Sequence, residues 1–149
     1  YEFVARSPSF GNQSAFSFFA FVKPSSGTNF PTFSFDNESN VGQLGVKFKS
    51  GQIDVEHGSQ SSNTFIGAPT SISAVWIDYT ASTGSNNGTV DFFINVNSTS
   101  QIKPSSPSIS ITTGTGGAVA KVVFLGHTGG TSILDKVRVD DVLIGSNPP

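Results

Sequence analysis

Apolar side chains in this chain recur at every second position, in short runs closed by Gly, Pro, Ser or Asn. That period is the signature of a β-strand with one buried face, and no stretch carries the 3.6-residue period of a helix. The clearest runs are residues 16–22, 30–35, 45–49, 52–57, 73–79, 89–96, 108–113, 121–126 and 133–139. Weaker ones fall at 1–6, 64–66 and 142–144. About ten to twelve short strands in one domain imply two packed antiparallel sheets, so the expected class is all-β, a two-sheet antiparallel β-sandwich of jelly-roll type. Turn chemistry separates the runs. Ser50-Gly51 closes a tight hairpin, residues 82–88 form a longer hairpin loop, and the two prolines of 103–107 mark a crossing loop. Residues 1–145 read as one domain and 146–149 as a linker stub.

Composition excludes several function classes. The 149 residues include no Cys, which removes disulfides, thiol catalysis and Cys-ligated metals. Eight basic and ten acidic residues give a net charge of −2, and no Lys/Arg cluster invites nucleic acid. No apolar run approaches the ~18 residues of a membrane span. The glycine-rich stretches at 114–117 and 126–130 lack a phosphate-cradling pattern. The chain also has no Met, so it reads as an excised or processed piece, with room upstream for a signal peptide that is not in view. Charged residues are only 12%, and Ser and Thr abound. Both traits fit an extracellular setting, as a monomeric module of a larger secreted or surface protein. Sequons at Asn12, Asn37, Asn87 and Asn97 are about as many as chance gives in so Ser/Thr-rich a chain.

Alternation assigns faces. Val46, Phe48, Ile53, Val55, Val75, Ile77, Tyr79, Val90, Phe92 and Ile94 form the core sets. Facing away from them are Lys47, Gln52, Asp54, Glu56, Trp76, Asp78, Asp91, Phe93 and Asn95. This outward set holds the only Trp and four of the ten acidic residues, and is expected to share one solvent face. Pyranose C–H faces stack on flat aromatic rings, and sugar hydroxyls need acceptors and donors, so such a face suits a glycan. Trp76 and Phe93 would stack, while Gln52, Asp54, Glu56, Asp78, Asp91 and Asn95 bond hydroxyls. Lys47 would favour an anionic glycan. The competing reading is an ordinary solvated strand surface with Trp76 covered by a loop. Phe16, Phe18, Phe19, Phe21, Phe30, Phe33 and Phe35 fall at strand spacing as core, with Phe19 and Phe21 opposite Phe16 and Phe18.

The stretch AVWIDYTASTGSNNGTVDFFIN, residues 74–95, resembles the Trp-bearing hairpin of the concanavalin A-like lectin/glucanase superfamily, including laminin G-like modules and L-type lectins. The stretch VVFLGHTGGTSILDKVRVDDVLIG, residues 122–145, is similar to the closing strands of such modules. The resemblance implies a jelly roll with one concave sheet that binds a polysaccharide or glycan. The Glu-x-Asp metal stretch of legume lectins is absent. Glucanases of this fold carry E-x-D-x-E on a central strand, with the outer carboxylates as nucleophile and acid. Here the matching residues are Gln52, Asp54 and Glu56, and an amide stands where the nucleophile belongs. No G-x-S-x-G elbow occurs, and Arg6 and Arg138 are too few for a lyase groove. The expectation is therefore a non-catalytic carbohydrate-binding module. The alternatives are a structural or adhesive domain without a sugar site and a small glycan-active enzyme.

Members of the superfamily often hold a structural Ca²⁺, which needs six to eight oxygen ligands. Two acidic places qualify: Asp36 with the turn that follows it, and Asp135 with Asp140 and Asp141. Asp135 lies on the apolar side of its run, where a buried carboxylate wants a cation or hydrogen bonds, so Asp135 leads the candidate ligands, with Asp141 and Asp36; the competing reading is an Asx-rich turn and a solvated acidic hairpin.

Overall fold

The computed structural model describes residues 3–23, 29–49, 52–65, 71–126 and 138–145. Within them the chain forms eleven strands: β1 (Phe3–Arg6), β2 (Ala15–Lys23), β3 (Asn29–Asp36), β4 (Gly42–Lys49), β5 (Gln52–His57), β6 (Gln60–Phe65), β7 (Ser73–Thr80), β8 (Gly88–Asn95), β9 (Ile109–Gly114), β10 (Lys121–Gly126) and β11 (Arg138–Gly145). They build a six-stranded sheet, β1-β10-β3-β4-β5-β6, and a five-stranded sheet, β11-β2-β7-β8-β9. Every pairing is antiparallel. The expected two-sheet sandwich is the architecture found.

The strands form where period two predicts them, and their inward sets make the core. Val46, Phe48, Ile53 and Val55 from one sheet meet Phe18, Val75, Ile77, Val90 and Phe92 from the other, all at most 2% exposed. Phenylalanine supplies much of this volume. Phe18 meets Phe35 edge-on at 5.1 Å, and Phe16 stacks on Tyr79 at 5.0 Å. These are the separations and tilts that aromatic quadrupoles favour. With no disulfide available, this packing carries the fold.

Two strands differ from expectation. The run at 64–66 is the tail of a longer strand, β6, whose Ser, Asn and Thr hide the alternation. The final strand, β11, spans Arg138–Gly145, takes in the weak run 142–144 and contains a register shift between Asp140 and Leu143. Most of the run 133–139 lies outside the described residues, as do the Ser50-Gly51 turn and the stub 146–149.

One end of the sandwich is locked by a histidine. His57, the last residue of β5, is fully buried, and its ring lies on Tyr79. Its Nδ1 accepts the Gly116 N–H at 2.9 Å, and its Nε2 lies 3.1 Å from the Thr80 carbonyl. An acceptor at Nδ1 leaves the proton on Nε2, so the ring is neutral and donates to Thr80. Burial pushes its pKa below the usual 6.5. Glycine makes room for the ring: a Cβ on Gly114 would lie 2.3 Å from His57 Cγ, and one on Gly88 2.6 Å from Cε1. Tyr79 donates its hydroxyl to the Gly117 carbonyl at 2.6 Å. The loop after β9 is thus held by β4, β5 and β7, since Gln43 Oε1 also accepts the Gly117 N–H at 2.6 Å.

Candidate functional site

The residues expected to share one face divide between two. Lys47, Gln52, Asp54 and Glu56 stand on β4 and β5 of the six-stranded sheet. Trp76, Asp78, Asp91, Phe93 and Asn95 stand on β7 and β8 of the other. Each group faces away from the core, so the two look out on opposite sides of the sandwich. Alternation assigned the side correctly within each strand. It could not say which strands share a sheet, because the chain changes sheet between β6 and β7.

The outer face of the five-stranded sheet is closed around its aromatics. Trp76 is 1% exposed and Phe93 6%, and both pack with Phe19 and Ala74. Phe19 lies opposite Trp76 in the β2–β7 register, with ring centroids 5.0 Å apart. The stacking platform expected of Trp76 and Phe93 is therefore corrected: neither offers an open ring face to a sugar. The second face of β2 is covered in the same way, with Phe19 in this cluster and Phe21 packed against it. Lys103, from the crossing loop, sets its ammonium 4.2 Å from the Phe93 ring centre and pairs with Asp78. Asp78 also accepts from Ser17 at 2.8 Å. Asn95 ties the same loop down by donating to the Ile102 carbonyl at 2.8 Å. Asp91, opposite Asp78 in the register, accepts from Ser110. These polar residues are engaged in holding a loop and a sheet edge.

The outer face of the six-stranded sheet is polar and open. Across β6, β5, β4 and β3 one row runs Ser61, Glu56, Gly45, Ser34, and the next brings Asn63, Asp54 and Lys47 together. Ser61 and Asn63 are exposed and belong with the predicted residues, although the sequence reading missed them. Their signal was available only through their pairing with Glu56 and Asp54. Lys47 and Glu56 form an ion pair, so the expected preference of Lys47 for an anionic glycan loses its free cation. Gln52 donates to Asp54 Oδ1 at 2.8 Å, and Asp54 is 8% exposed. Beside them lies a shallow open depression of about 90 Å³ bordered by Ser34, Gln43, Gly45 and Glu56. An amide, hydroxyls and carboxylates set across adjacent strands can bond several ring hydroxyls at once.

The calcium candidates fare differently. Asp36 accepts from Ser34 at 2.8 Å and is 5% exposed. In the turn beyond it, Asn37 Oδ1 accepts the N–H groups of Ser39 and Val41. The Lys121 ammonium donates to the Glu38 carbonyl at 2.9 Å and to Asn40 Oδ1 at 3.1 Å. A lysine already supplies the positive charge there, so this turn does not fit a Ca²⁺ ligand set. Among the described residues no cluster of three or more His or acidic side chains could hold a metal. Asp135 lies outside the described residues, and the backbone of Asp141 is on β11.

Comparison with solved structures identifies the fold. The chain is similar to a tetrameric galectin from the ball sponge Cinachyrella sp., with a TM-score of 0.58 and 10% identity over 95% of this chain and 99% of that one. It is likewise similar to sheep galectin-11 in a complex with glycerol, with a TM-score of 0.55 and 8% identity over 95% and 96% of the two chains. The fold is thus the concanavalin A-like jelly roll of the galectins. No family model matches the sequence, and no curated protein matches it significantly.

Proposed function

We propose that this lectin-type jelly roll is a non-catalytic carbohydrate-binding module whose site is the outer face of β4, β5 and β6. The observation that carries the reading is the contrast between the two outer faces. One is shut over Trp76 and Phe93; the other presents Lys47, Gln52, Glu56, Ser61 and Asn63 on a sheet of galectin-like fold. Asp54, mostly covered, orients Gln52 and does not itself reach far into solvent. The amide at position 52, where glucanases of this type of fold carry a carboxylate nucleophile, supports binding without turnover. The module acts outside the cell as part of a larger secreted enzyme or surface protein. Calcium belongs to this reading only as a structural ion held by Asp135 and Asp141, and thermal unfolding in calcium against EDTA tests it.

The direct test is a screen against soluble and insoluble glycans, followed by calorimetry on the best ligand. Gln52→Ala and Asn63→Ala weaken binding, whereas Asp91→Asn, on the opposite face, leaves it unchanged. A rival reading as a structural or adhesive domain is favoured by the burial of Trp76 and by the division of the outward set. It predicts no glycan binding at any concentration.

A further inference from the structure

The outer face of the six-stranded sheet lacks side chains at Gly42 and Gly45, and the gap at Gly45 carries an inference resting on the carbohydrate reading above. Gly45 pairs with Ser34 on one side and Glu56 on the other, so a bare backbone lies between a hydroxyl and a carboxylate. A Cβ on Gly45 would sit 3.4 Å from Glu56 Oε2 and 3.8 Å from Glu56 Cβ. The carboxylate therefore borders the gap, and Gly45 lines the depression together with Glu56, Gly42 and Gly58.

The groups around the gap are unevenly spent. Glu56 Oε1 accepts from Lys47, while Oε2 accepts from none of the described residues. Ser34 gives its proton to Asp36, which leaves the hydroxyl oxygen as an acceptor. Gln43 has both ends of its amide engaged: Oε1 takes the Gly117 N–H, and Nε2 donates to the carbonyls of Val41 and Gly42. Among the described residues, the nearby cations Lys47 and Lys121 are engaged too, Lys47 with Glu56 and Lys121 with the 37–40 turn. A recess that offers acceptors beside a carboxylate attracts a donor and repels an anion.

We propose that Gly45 is the specificity-determining position of this face. Its missing side chain admits one hydroxyl-bearing edge of an uncharged sugar, whose O–H donates to Glu56 Oε2. The same arrangement turns away uronic and sulfated glycans. Substitution at Gly45 fills the recess without burdening the fold, since the first atom a new side chain meets is the flexible end of Glu56.

The experiment compares wild type, Gly45→Val, Gly45→Ala and Glu56→Gln on an array of neutral, uronic and sulfated glycans, with calorimetry on the best neutral ligand. Wild type binds neutral glycans and rejects uronic and sulfated ones. Gly45→Val loses about tenfold or more in affinity at an unchanged unfolding midpoint, and Gly45→Ala loses less. Glu56→Gln removes the carboxylate and releases Lys47, so it weakens neutral binding several-fold and gains acidic ligands, a shift that a purely structural role does not produce. Neutral binding that is equal in all four proteins overturns the inference, as does a wild-type preference for uronic or sulfated glycans. Absence of any glycan binding by wild type overturns the carbohydrate reading itself, and the inference with it.

Discussion

The imidazole of His57 lies almost flat on the phenol ring of Tyr79, with centroids 4.7 Å apart and planes 21° from parallel. The pair joins the ends of β5 and β7, one from each sheet, and carries the loop after β9 on its edges. Several properties of the protein depend on it.

Stability should depend on pH through His57. Its folded pKa lies below the unfolded value of 6.5, so between the two the unfolded chain holds more protons. The stabilisation is complete above 6.5 and is lost as pH falls toward the folded pKa. Protonation also sets an Nδ1–H against the Gly116 N–H. Calorimetric melting from pH 8 to 5, in a His127→Gln background that leaves one imidazole, should give a flat midpoint at the alkaline end and a decline below 6.5. A midpoint that stays level to pH 5 contradicts this.

Gly114→Ala should destabilise by about 1–3 kcal/mol or more, because its methyl would enter the His57 ring. Gly45→Ala, whose methyl meets only the Glu56 side chain, should change stability by less than about 0.5 kcal/mol. Urea titration of the two variants measures the contrast.

Trp76 is the sole tryptophan and is 1% exposed. Its emission should be blue-shifted, should resist quenching by acrylamide, and should not respond to a bound glycan. Trp76→Ala should cost about 3–5 kcal/mol of stability. Emission near that of free tryptophan would show an open ring and restore the stacking role.

Lys103 holds the crossing loop by its contacts with Phe93 and Asp78. Both partners of the ion pair are about one-third exposed, so water and salt weaken it. A double-mutant cycle of Lys103→Ala with Asp78→Asn should give a coupling of about 0.5 kcal/mol at low salt, vanishing near 1 M salt. The part of the Lys103 effect that survives salt reports the contact with Phe93.

Strand positions and faces were legible because alternation is a local property. The Val75–Tyr79 and Val90–Ile94 sets are core as read, and Asp54 and Glu56 do face outward. Sheet membership is not local. Lys47 and Trp76 share an outward sense in the sequence, yet the crossing between β6 and β7 sends them to opposite surfaces. The burial of Trp76 left one trace: Phe19 and Phe21 on β2 have the same outward parity, and Phe19 pairs with Trp76. Three large aromatics on adjacent strands bury one another wherever they point. β6 was nearly invisible because its inward residues, Ser62 and Thr64, are polar at a sheet edge.

Aromatics on both surfaces of the five-stranded sheet give the molecule a front and a back. A tether or fusion joined on the side of Trp76 leaves the β4–β6 surface free, so under the proposed function copies anchored that way would engage an extended polymer without obstructing one another. Attachment across Gly45 and Glu56 would then blind the domain while leaving it folded.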